Sequence, residues 1–531
     1  MISFASLAQA DLADDGGRAL EARLLVSAEP AQAVHQALAE GYAVMPAGGL
    51  TSAIGAFAYS QESVSDFKGV VAVRPRSSPE PEMVAASTAL RDLKTNQMAI
   101  DPATSSVAVG AGLSFAQVNA VLGHLVGPAA RVLVDLTSIG SAMAGGVIAS
   151  GSMGPLRLRP SASCLEVALA GGEASPEILT GEAILRAEGM QGWTGLVQAV
   201  RMRYFETPLN EFGLVLPVQG NDTDALGDFL AYLHPWTEVQ VPLDRSSLVG
   251  RVDEATVING VELVTRSSLE QFIGSAGDDS LRGKAQNLLQ SCDYAGADWL
   301  ACITGWSDHA VDDVLALLLD EVTETIGGVM IDFGVGFSSG SEMDAFRAIR
   351  EGAPDLARTR ARVAPPGMLK PWTTSSDVNL VAPVRDSTPM ANALCAYQDY
   401  REKIAALGSD LGGKVGVEMS VYGHLNPHGL DPHHRTILMA APGAEEALAR
   451  TADQVVLMKQ ELIRALVKVA KGFGATINGG EKGAPSLVDL VRALGGEEGL
   501  PENLKHDLAR TKAALAQAPR GFSFRAPKEL R

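Results

Sequence analysis

The sequence predicts an α+β fold with more than one domain. Strand-like and helix-like segments alternate between residues 29 and 206, and glycine-rich loops follow strand-like segments. The composition is 46% hydrophobic and only 5% aromatic, with 55 glycines, which is typical of mixed folds and unlike disordered chains. A chain of 531 residues is long enough for roughly two to four domains of about 150 residues each.

The predicted elements follow from the two hydrophobic periods, 3.6 for helices and 2 for strands. In the first part of the chain they are a helix over 31–40, a strand over 42–45, a strand over 106–109, a helix over 114–122 and strands over 164–170 and 200–204. Beyond residue 207 they are strands over 299–304 and 329–333, and helices over 311–325, 342–351, 444–472 and 487–518.

Charge and cysteine usage exclude several classes of protein. The 43 basic and 62 acidic residues give a net charge of −19, which argues against nucleic acid or an anionic membrane as the main partner. The four cysteines show no C-x-x-C spacing, so neither a disulfide framework nor an iron–sulfur cluster is expected. No signal peptide and no long apolar run is found, which predicts a cytoplasmic protein; a peripheral contact with the inner face of the membrane stays open.

Two glycine-rich loops are candidates for binding an anionic cofactor. Residues 46–56 follow a predicted strand, and residues 138–154 have the same small-residue character. Such loops turn successive backbone N–H groups into one concavity that binds phosphate oxygens, although a single loop of this kind is more often an ordinary turn. A third segment, 334–340, has the spacing G-x-G-x-x-x-G without a following acidic residue, so we interpret it as a tight turn.

Four of the nine histidines lie between His424 and His434. We interpret residues 422–435 as a loop that leads into a strand over 436–440, from which imidazoles can point into a cleft. Since Pro427 and Pro432 also mark a turn-rich surface segment, a solvated loop is the alternative.

Together these segments resemble the FAD-linked oxidoreductases of the vanillyl-alcohol oxidase type, in particular the D-lactate, glycolate and D-2-hydroxyglutarate dehydrogenase branch. Residues 46–56 are similar to the family's P-x-G-G-G-T-G-x-x-G-G loop, 145–150 to G-G-N-I-A-T and 187–189 to S-E-G. Residues 423–424 resemble the start of G-H-x-G-D-G-N-L-H, and 480–483 resemble G-E-H-G with Lys482 in place of the histidine.

The resemblance implies a two-subdomain FAD-binding domain of the PCMH type, a ferredoxin-like α/β cap domain and a helical C-terminal segment. The implied boundaries are 1–27 for an N-terminal segment, 28–206 for the FAD-binding domain, 207–460 for the substrate (cap) domain and 461–531 for a C-terminal segment that returns to the FAD domain.

The implied cofactor is FAD. Neither glycine loop contains a histidine or cysteine for a covalent link, so we expect noncovalent binding. The expected cofactor-binding residues are Pro46, Ala47, Gly48, Gly49, Leu50, Thr51, Ser52, Gly55, Ala56, Ser138, Gly145, Gly146, Ile148, Ala149, Ser150, Glu188 and Gly189.

The implied reaction is the oxidation of a small D-2-hydroxy acid by hydride transfer to flavin N5. His424 is the expected base and Glu481 the second catalytic residue, while Arg350 and Lys370 are candidates for holding the substrate carboxylate. His428 and Lys482 complete the polar wall.

The altered motifs leave open whether a metal binds. The expected electron acceptor is a quinone, an electron-transfer protein or another carrier, and a homodimer is an open alternative to a monomer. Two other functions also stay open: an alcohol or phenol oxidase of the same fold, and a flavin-binding subunit without chemistry of its own.

Overall fold

The computed structural model describes the following residues: 9–13, 19–47, 64–134, 142–152, 159–219, 230–237, 255–275, 283, 286, 299–325, 330–331, 335–337, 372–376, 379–381, 387–410, 415–426, 429–473, 476–478 and 484–530.

The strands in these residues are β1 (Gln9–Ala13), β2 (Ala19–Ser27), β3 (Ala43–Pro46), β4 (Val70–Pro75), β5 (Glu82–Met83), β6 (Gln97–Asp101), β7 (Ser106–Gly110), β8 (Ala130–Arg131), β9 (Cys164–Ala170), β10 (Glu177–Thr180), β11 (Leu196–Arg203), β12 (Phe205–Glu206), β13 (Asn210–Gln219), β14 (Thr256–Thr265), β15 (Trp299–Ser307), β16 (Met330–Ile331), β17 (Val335–Phe337), β18 (Trp372–Ser376), β19 (Asn379–Val381), β20 (Val415–Asn426), β21 (Gly429–Ala440) and β22 (Thr476–Asn478).

The α-helices are α1 (Pro30–Ala39), α2 (Phe115–Leu125), α3 (Ala144–Ser150), α4 (Pro160–Ser163), α5 (Arg266–Ser275), α6 (Val311–Thr325), α7 (Ser387–Asp410), α8 (Glu445–Phe473), α9 (Ala484–Leu494), α10 (Glu502–Gln517) and α11 (Arg520–Ser523). Short 3₁₀ helices lie at Leu90–Asp92, Gly181–Arg186, His234–Thr237 and Glu497–Gly499.

The first sheet has the order β1-β2-β4-β3, in which β2, β4 and β3 run parallel. Helix α1 connects β2 to β3, which lie on either side of β4, and parallel strands of one sheet require such a crossover. It starts at Pro30, whose fixed φ suits the first turn of a helix. Its apolar side, which includes Val34, packs against Val44 and Val71 of the sheet. The helix therefore buries the first sheet on one face.

The second sheet has the order β10-β9-β11-β7-β6-β5 and is antiparallel apart from the β5–β6 pair. Helix α2 begins with a capping box between Ser114 and Gln117. Its buried residues Phe115 and Leu122 share a core with Val109 of the sheet. This cap and this apolar side fix the position of the helix on the sheet.

The side chain of Gln198 links the second sheet to helix α1 and to residues 91–93. It lies in β11 and is 4% exposed. Its Oε1 accepts a hydrogen bond from the backbone N–H of Ala31, at the start of α1, at 3.3 Å. Its Nε2 donates to the carbonyl oxygens of Arg91 and Leu93, both at 3.2 Å. One buried amide therefore satisfies three backbone groups of other elements.

Replacing Gln198 with leucine is expected to lower the free energy of unfolding by about 2–3 kcal/mol, because the substitution leaves buried backbone groups without partners. Urea unfolding followed by circular dichroism measures this loss. The control is Gln398→Leu on the exposed side of α7, which is expected to change stability by less than about 0.5 kcal/mol. Equal effects of the two substitutions would contradict the bridging role.

The third sheet is built from β13 to β18 together with β20 and β21. Its order is β16-β13-β15-β14-β20-β21-β18, and β17 also pairs with β13. All its described pairs are antiparallel. Since side chains alternate along a strand, each strand sends every second residue to the same face.

Helices cover one face of the third sheet, which we call the helix-covered face. Val314 and Leu318 of α6 share a core with Leu214 of β13 and Ile303 of β15. Farther along the sheet, helices α7 and α8 share a core with β20 and β21, represented by Tyr400, Leu466, Val421 and Leu438. The opposite face of the sheet carries the polar residues described below.

The C-terminal helices connect the third sheet to the first. Leu487 of α9 and Leu504 of α10 belong to the same core as α7 and α8. Phe522 of α11 packs among the residues of α1 and the first sheet, and Phe524 packs against β3 and β4. Helix α8 runs continuously through residue 460, the predicted end of the cap domain. The end of the described chain thus contacts its beginning.

Several predicted elements are confirmed with little or no change, including the strand over 164–170 and the helix over 311–325. The predicted helix over 487–518 is two helices, because Gly495 and Gly496 have positive φ and Pro501 precedes the second one. The tight turn predicted over 334–340 is wrong where the structure describes it, since 335–337 pair with β13 as a strand. The predicted helix over 342–351 lies outside the described residues.

The loop predicted over 422–435 is also wrong. The described residues of this range, 422–426 and 429–435, belong to β20 and β21, which pair along their full lengths. Val421 and Leu425 alternate into the helix-covered core, so the pairing buries apolar surface. Pro432 lies two residues before His434, where the described pairing of β21 with β18 begins. A strand tolerates proline at a position whose backbone N–H is not needed for pairing with the neighbouring strand.

In the part of the chain that the structure describes, we find no helix long and apolar enough to cross a membrane.

Candidate functional site

The end of strand β3 lies against a turn that follows Glu188. Pro46 is the last residue of β3, and Ala47 after it is fully buried. A Cβ atom built on Gly192 would lie 2.9 Å from Cγ of Pro46, so the two backbones approach closely. Gly192 also has a φ of +69°, which favours glycine. Pro46 and Ala47, the first residues of the predicted phosphate loop, therefore lie beside this turn.

The same turn caps helix α3. The N–H of Gly189 donates to the carbonyl of Ile148 at 3.2 Å, and the N–H of Gln191 donates to the carbonyl of Ala149 at 2.7 Å. The side chain of Gln191 donates to the carbonyl of Ser150 at 3.3 Å. We call residues 46–47, 144–150 and 187–192 the β3–α3 cluster. In this cluster, the described residues of the three segments that were predicted to bind the cofactor lie together.

The two glycines of α3 have different surroundings. A Cβ atom on Gly145 would lie 2.7 Å from Cβ of Ala111 and 3.1 Å from the carbonyl oxygen of Val197. Gly145 is therefore needed for close packing on the second sheet. A Cβ atom on Gly146 would meet no described atom within 4 Å, and Gly146 is exposed. Only Gly146 presents its backbone to a surface that a ligand can reach.

Glu188 brings a carboxylate to the cluster. The residue is 7% exposed, and its Oε1 accepts a hydrogen bond from the N–H of Ser161 at 2.9 Å. Its Oε2 is buried and has no hydrogen-bond partner among the described residues. A buried carboxylate oxygen needs donors, which hydroxyl and amide groups of a bound molecule can supply and phosphate cannot. Glu188 thus fits the sugar or ring part of a nucleotide.

Cys164 lies near Glu188 and is chemically inert. Burial, followed by the negative charge of Glu188, raises the pKa of its thiol to about 12. The thiolate is the reactive form, so Cys164 stays protonated at neutral pH. We expect iodoacetamide at pH 8 to label the exposed Cys395 and to leave Cys164 unlabelled in the folded protein, as measured by peptide mass spectrometry. Labelling of both at similar rates would refute this, and denatured protein is the positive control.

Many predicted site residues lie outside the described residues. They are Gly48, Gly49, Leu50, Thr51, Ser52, Gly55, Ala56, Ser138, Arg350, Lys370, His428, Glu481 and Lys482. Ala484, two residues after Lys482, is described, and its N–H donates to the carbonyl of Gly189 at 3.2 Å. Ala484 therefore contacts the β3–α3 cluster.

His424 lies in the third sheet, on the face opposite the helices. It is 4% exposed and pairs in register with Glu262 of β14. Its Nδ1 lies 3.3 Å from Oε1 of Glu262, whose side chain is 9% exposed. The ring of Tyr422, two residues earlier on the same face, meets the His424 ring edge-on at 6.3 Å. A titratable imidazole is therefore held against a buried carboxylate.

Other buried polar residues share this face of the sheet. Cys302 of β15 pairs in register with Glu262, and Thr304, two residues along, donates to Oδ1 of Asn259 at 2.5 Å. The residues Glu262, Cys302, Thr304 and His424 define what we call the polar face.

The polar face contacts β8 at one end. Trp306, again two residues along β15, lies under the guanidinium of Arg131, which is 5.0 Å from the ring centroid. Arg131 belongs to β8, which pairs with β12 just before the third sheet begins. The polar face thus lies beside the β8–β12 pair at this point.

His434 points to the other side of the sheet. It pairs with Val421, which belongs to the helix-covered face, and it is fully buried. Its ring centroid lies 4.6 Å from that of Tyr400 and 6.3 Å from that of Tyr397, both on α7. The histidine cluster seen in the sequence is therefore divided between two faces, and His434 belongs to the core.

Sequence reasoning missed Glu262. The signal was present, because Glu262 is the one charged residue in the ten-residue strand β14, which is buried along its length. A carboxylate in such a strand is rarely buried unless it has a partner. The partner, His424, is 162 positions away in sequence, so only the sheet pairing reveals it. Among the described residues, no group of three His, Cys, Asp or Glu side chains is placed to hold a metal ion.

The chain has the PCMH-type FAD-binding fold predicted from its sequence. Comparisons with family models and with curated proteins give no match. Among solved structures, it is similar to 4-ethylphenol oxidase from Gulosibacter chungangensis, with a TM-score of 0.57, 12% identity and coverage of 96% of this chain and 91% of that one.

Two further solved structures share the fold. 6-Hydroxy-D-nicotine oxidase from Arthrobacter nicotinovorans gives a TM-score of 0.51 at 14% identity, covering 98% of this chain and 97% of that one. Berberine bridge enzyme from Eschscholzia californica gives 0.52 at 10% identity, covering 96% and 89%. At these identities the likeness shows a common fold.

Proposed function

We propose that this protein is an FAD-dependent oxidoreductase that oxidises a carbon bearing a hydroxyl group. The observation that carries the proposal is the buried His424–Glu262 pair on the polar face, 3.3 Å apart. A buried imidazole beside a carboxylate is suited to proton transfer. Its place in a fold shared with solved oxidases supports a redox role.

The residues of the β3–α3 cluster fit FAD. The backbone of Gly146 faces open space, and the buried Oε2 of Glu188 suits a donor from the ribityl, ribose or ring part of the cofactor. The loop residues predicted from the sequence would add backbone N–H groups for the diphosphate. FAD supplies the two-electron chemistry that protein side chains lack. We propose noncovalent binding, since neither glycine loop contains His or Cys.

The chain itself supplies the base and its surroundings. We propose that Nε2 of His424 takes the proton of the substrate hydroxyl, while its Nδ1 faces Glu262. The apolar core on the helix-covered face excludes water from one side of this pair. Exclusion of water strengthens the electrostatic interaction of the imidazole with its neighbours. Glu481 is the second proposed catalytic residue.

For the substrate we propose a small D-2-hydroxy acid, following the sequence motifs. Arg350 and Lys370 would hold its carboxylate, and His428 and Lys482 would complete the pocket. The alternative is a phenol or alcohol, which the likeness to a structure of 4-ethylphenol oxidase favours. The proposed electron acceptor is a quinone, an electron-transfer protein or another carrier; molecular oxygen would indicate the alternative.

The test starts from the absorption spectrum of the purified protein. A flavin spectrum, with flavin released into the supernatant on denaturation, is the expected result. The flavin is then titrated anaerobically with D-2-hydroxy acids, their L-isomers and 4-alkylphenols, and bleaching identifies the substrate class. Protein that is colourless and does not take up added FAD would refute the proposal.

A further inference from the structure

The buried carboxylate of Glu262 has a defined relation to the proposed base. Glu262 and His424 are direct cross-strand partners on β14 and β20, with Nδ1 and Oε1 3.3 Å apart. The contact has the distance of an ion pair without the alignment of a hydrogen bond, and poorly aligned contacts in catalytic sites often tighten when the substrate is bound. Both side chains are at least nine-tenths buried. Water therefore competes little for this contact.

We propose that Glu262 is a positioning residue that holds the proton of neutral His424 on Nδ1. A carboxylate accepts hydrogen bonds and cannot donate one when ionised, so it favours the tautomer with N–H on Nδ1. That tautomer leaves the lone pair on Nε2, which is the atom that must accept the substrate proton. The carboxylate also stabilises the imidazolium that forms during the reaction.

The sheet explains why Glu262 can do this. Neighbouring strands hold the two backbones at a fixed separation, and side chains of direct pairs lie on the same face. Cys302 stands beside Glu262 on β15, and Tyr422 meets the His424 ring edge-on. Strands position a catalytic pair more precisely than loops do. The inference rests on the proposed role of His424.

The main test is Glu262→Gln in the full-length flavoprotein, measured by stopped-flow reduction of the flavin. Glutamine keeps the shape of glutamate, but its amide N–H can donate to Nδ1 and so place the imidazole proton on Nε2, the wrong atom. We expect the limiting rate of flavin reduction to fall by about 10²–10⁴-fold. Flavin content, melting temperature and the substrate concentration for half-saturation are expected to change little.

Two further variants separate positioning from simple structural support. Glu262→Asp keeps the charge and is expected to recover part of the rate. Glu262→Ala is expected to be accelerated by added formate, which can replace the missing carboxylate. If Glu262→Gln does not fold, the response of Glu262→Ala to formate and the rate of Glu262→Asp test the positioning role instead. No acceleration by formate and no recovery in Glu262→Asp would contradict it.

A double variant tests the route through His424. Because Glu262 acts only through the imidazole, Glu262→Gln should cause no further loss of rate in a His424→Ala background. Glu166→Gln is the matched control, since Glu166 pairs with Arg201 at 2.9 Å in the second sheet. It is expected to leave the rate of flavin reduction unchanged.

The outcomes are distinct. Wild-type rates in Glu262→Gln, together with slow rates in His424→Ala, would overturn the inference and leave the proposed function intact. A further loss in the double variant would also overturn it, because Glu262 would then act independently of His424. Wild-type rates in His424→Ala would remove the proposed base itself. Absence of flavin would refute the proposed function before either variant is examined.

Discussion

Replacing His424 with alanine is expected to slow reduction of the bound flavin by about 10²–10⁴-fold, the usual contribution of a general base. The imidazole lies in a buried strand against Glu262. Alanine offers no proton acceptor in its place. Stopped-flow absorbance under anaerobic conditions measures the rate directly. The flavin-to-protein ratio is measured alongside it. We expect this ratio to be unchanged, because the β3–α3 cluster is built from other elements.

The matched control comes from the same hairpin. His434→Phe changes a fully buried histidine on the helix-covered face, where it packs on Tyr397 and Tyr400. We expect it to alter the melting temperature while the rate per bound flavin stays close to that of the wild type. Equal rate losses in both variants would mean that disruption of the hairpin is responsible. An unchanged rate in His424→Ala would exclude His424 as the base.

Alanine substitutions at the two adjacent glycines of α3 are expected to have opposite effects on stability. In Gly145→Ala the new methyl group would overlap Ala111 and approach the carbonyl of Val197. Such overpacking typically costs about 1–3 kcal/mol. In Gly146→Ala the methyl group meets no described atom, and alanine stabilises a helix relative to glycine by about 1 kcal/mol. The apoprotein of Gly146→Ala should therefore be as stable as the wild type or slightly more stable.

Measuring the affinity for FAD distinguishes an effect of these substitutions on packing from an effect on cofactor binding. If the backbone of Gly146 lies against FAD, a methyl group there should weaken binding by at least about tenfold, equivalent to about 1.4 kcal/mol. Titration of apoprotein with FAD, followed by flavin fluorescence, measures this change, and urea unfolding of both apoproteins measures stability. Unaltered affinity in Gly146→Ala would remove Gly146 from the cofactor site. An unaltered stability in Gly145→Ala would contradict the close contact with Ala111.

Local signals predicted several elements well. The strand over 164–170 and helix over 311–325 follow from periodicity, and Ser114 with Gln117 forms the capping box that starts α2. The error at 422–435 has a local cause, because histidines and prolines are common in loops and conceal the alternation of Val421 and Leu425. Pairing with β14 and β21 outweighs these local preferences, as strand formation depends on neighbours.

The sequence alone determined the α+β class and the glycine-rich motifs and made His424 a candidate base, since composition, spacing and hydrophobic period are properties of neighbouring residues. Only the tertiary structure decided which residues meet: Glu262 with His424, Gly189 with Ile148, and His434 with Tyr400. The physical reason is that sheet pairing and side-chain packing join residues far apart in the chain. The free energy of such contacts depends on burial that no local pattern encodes.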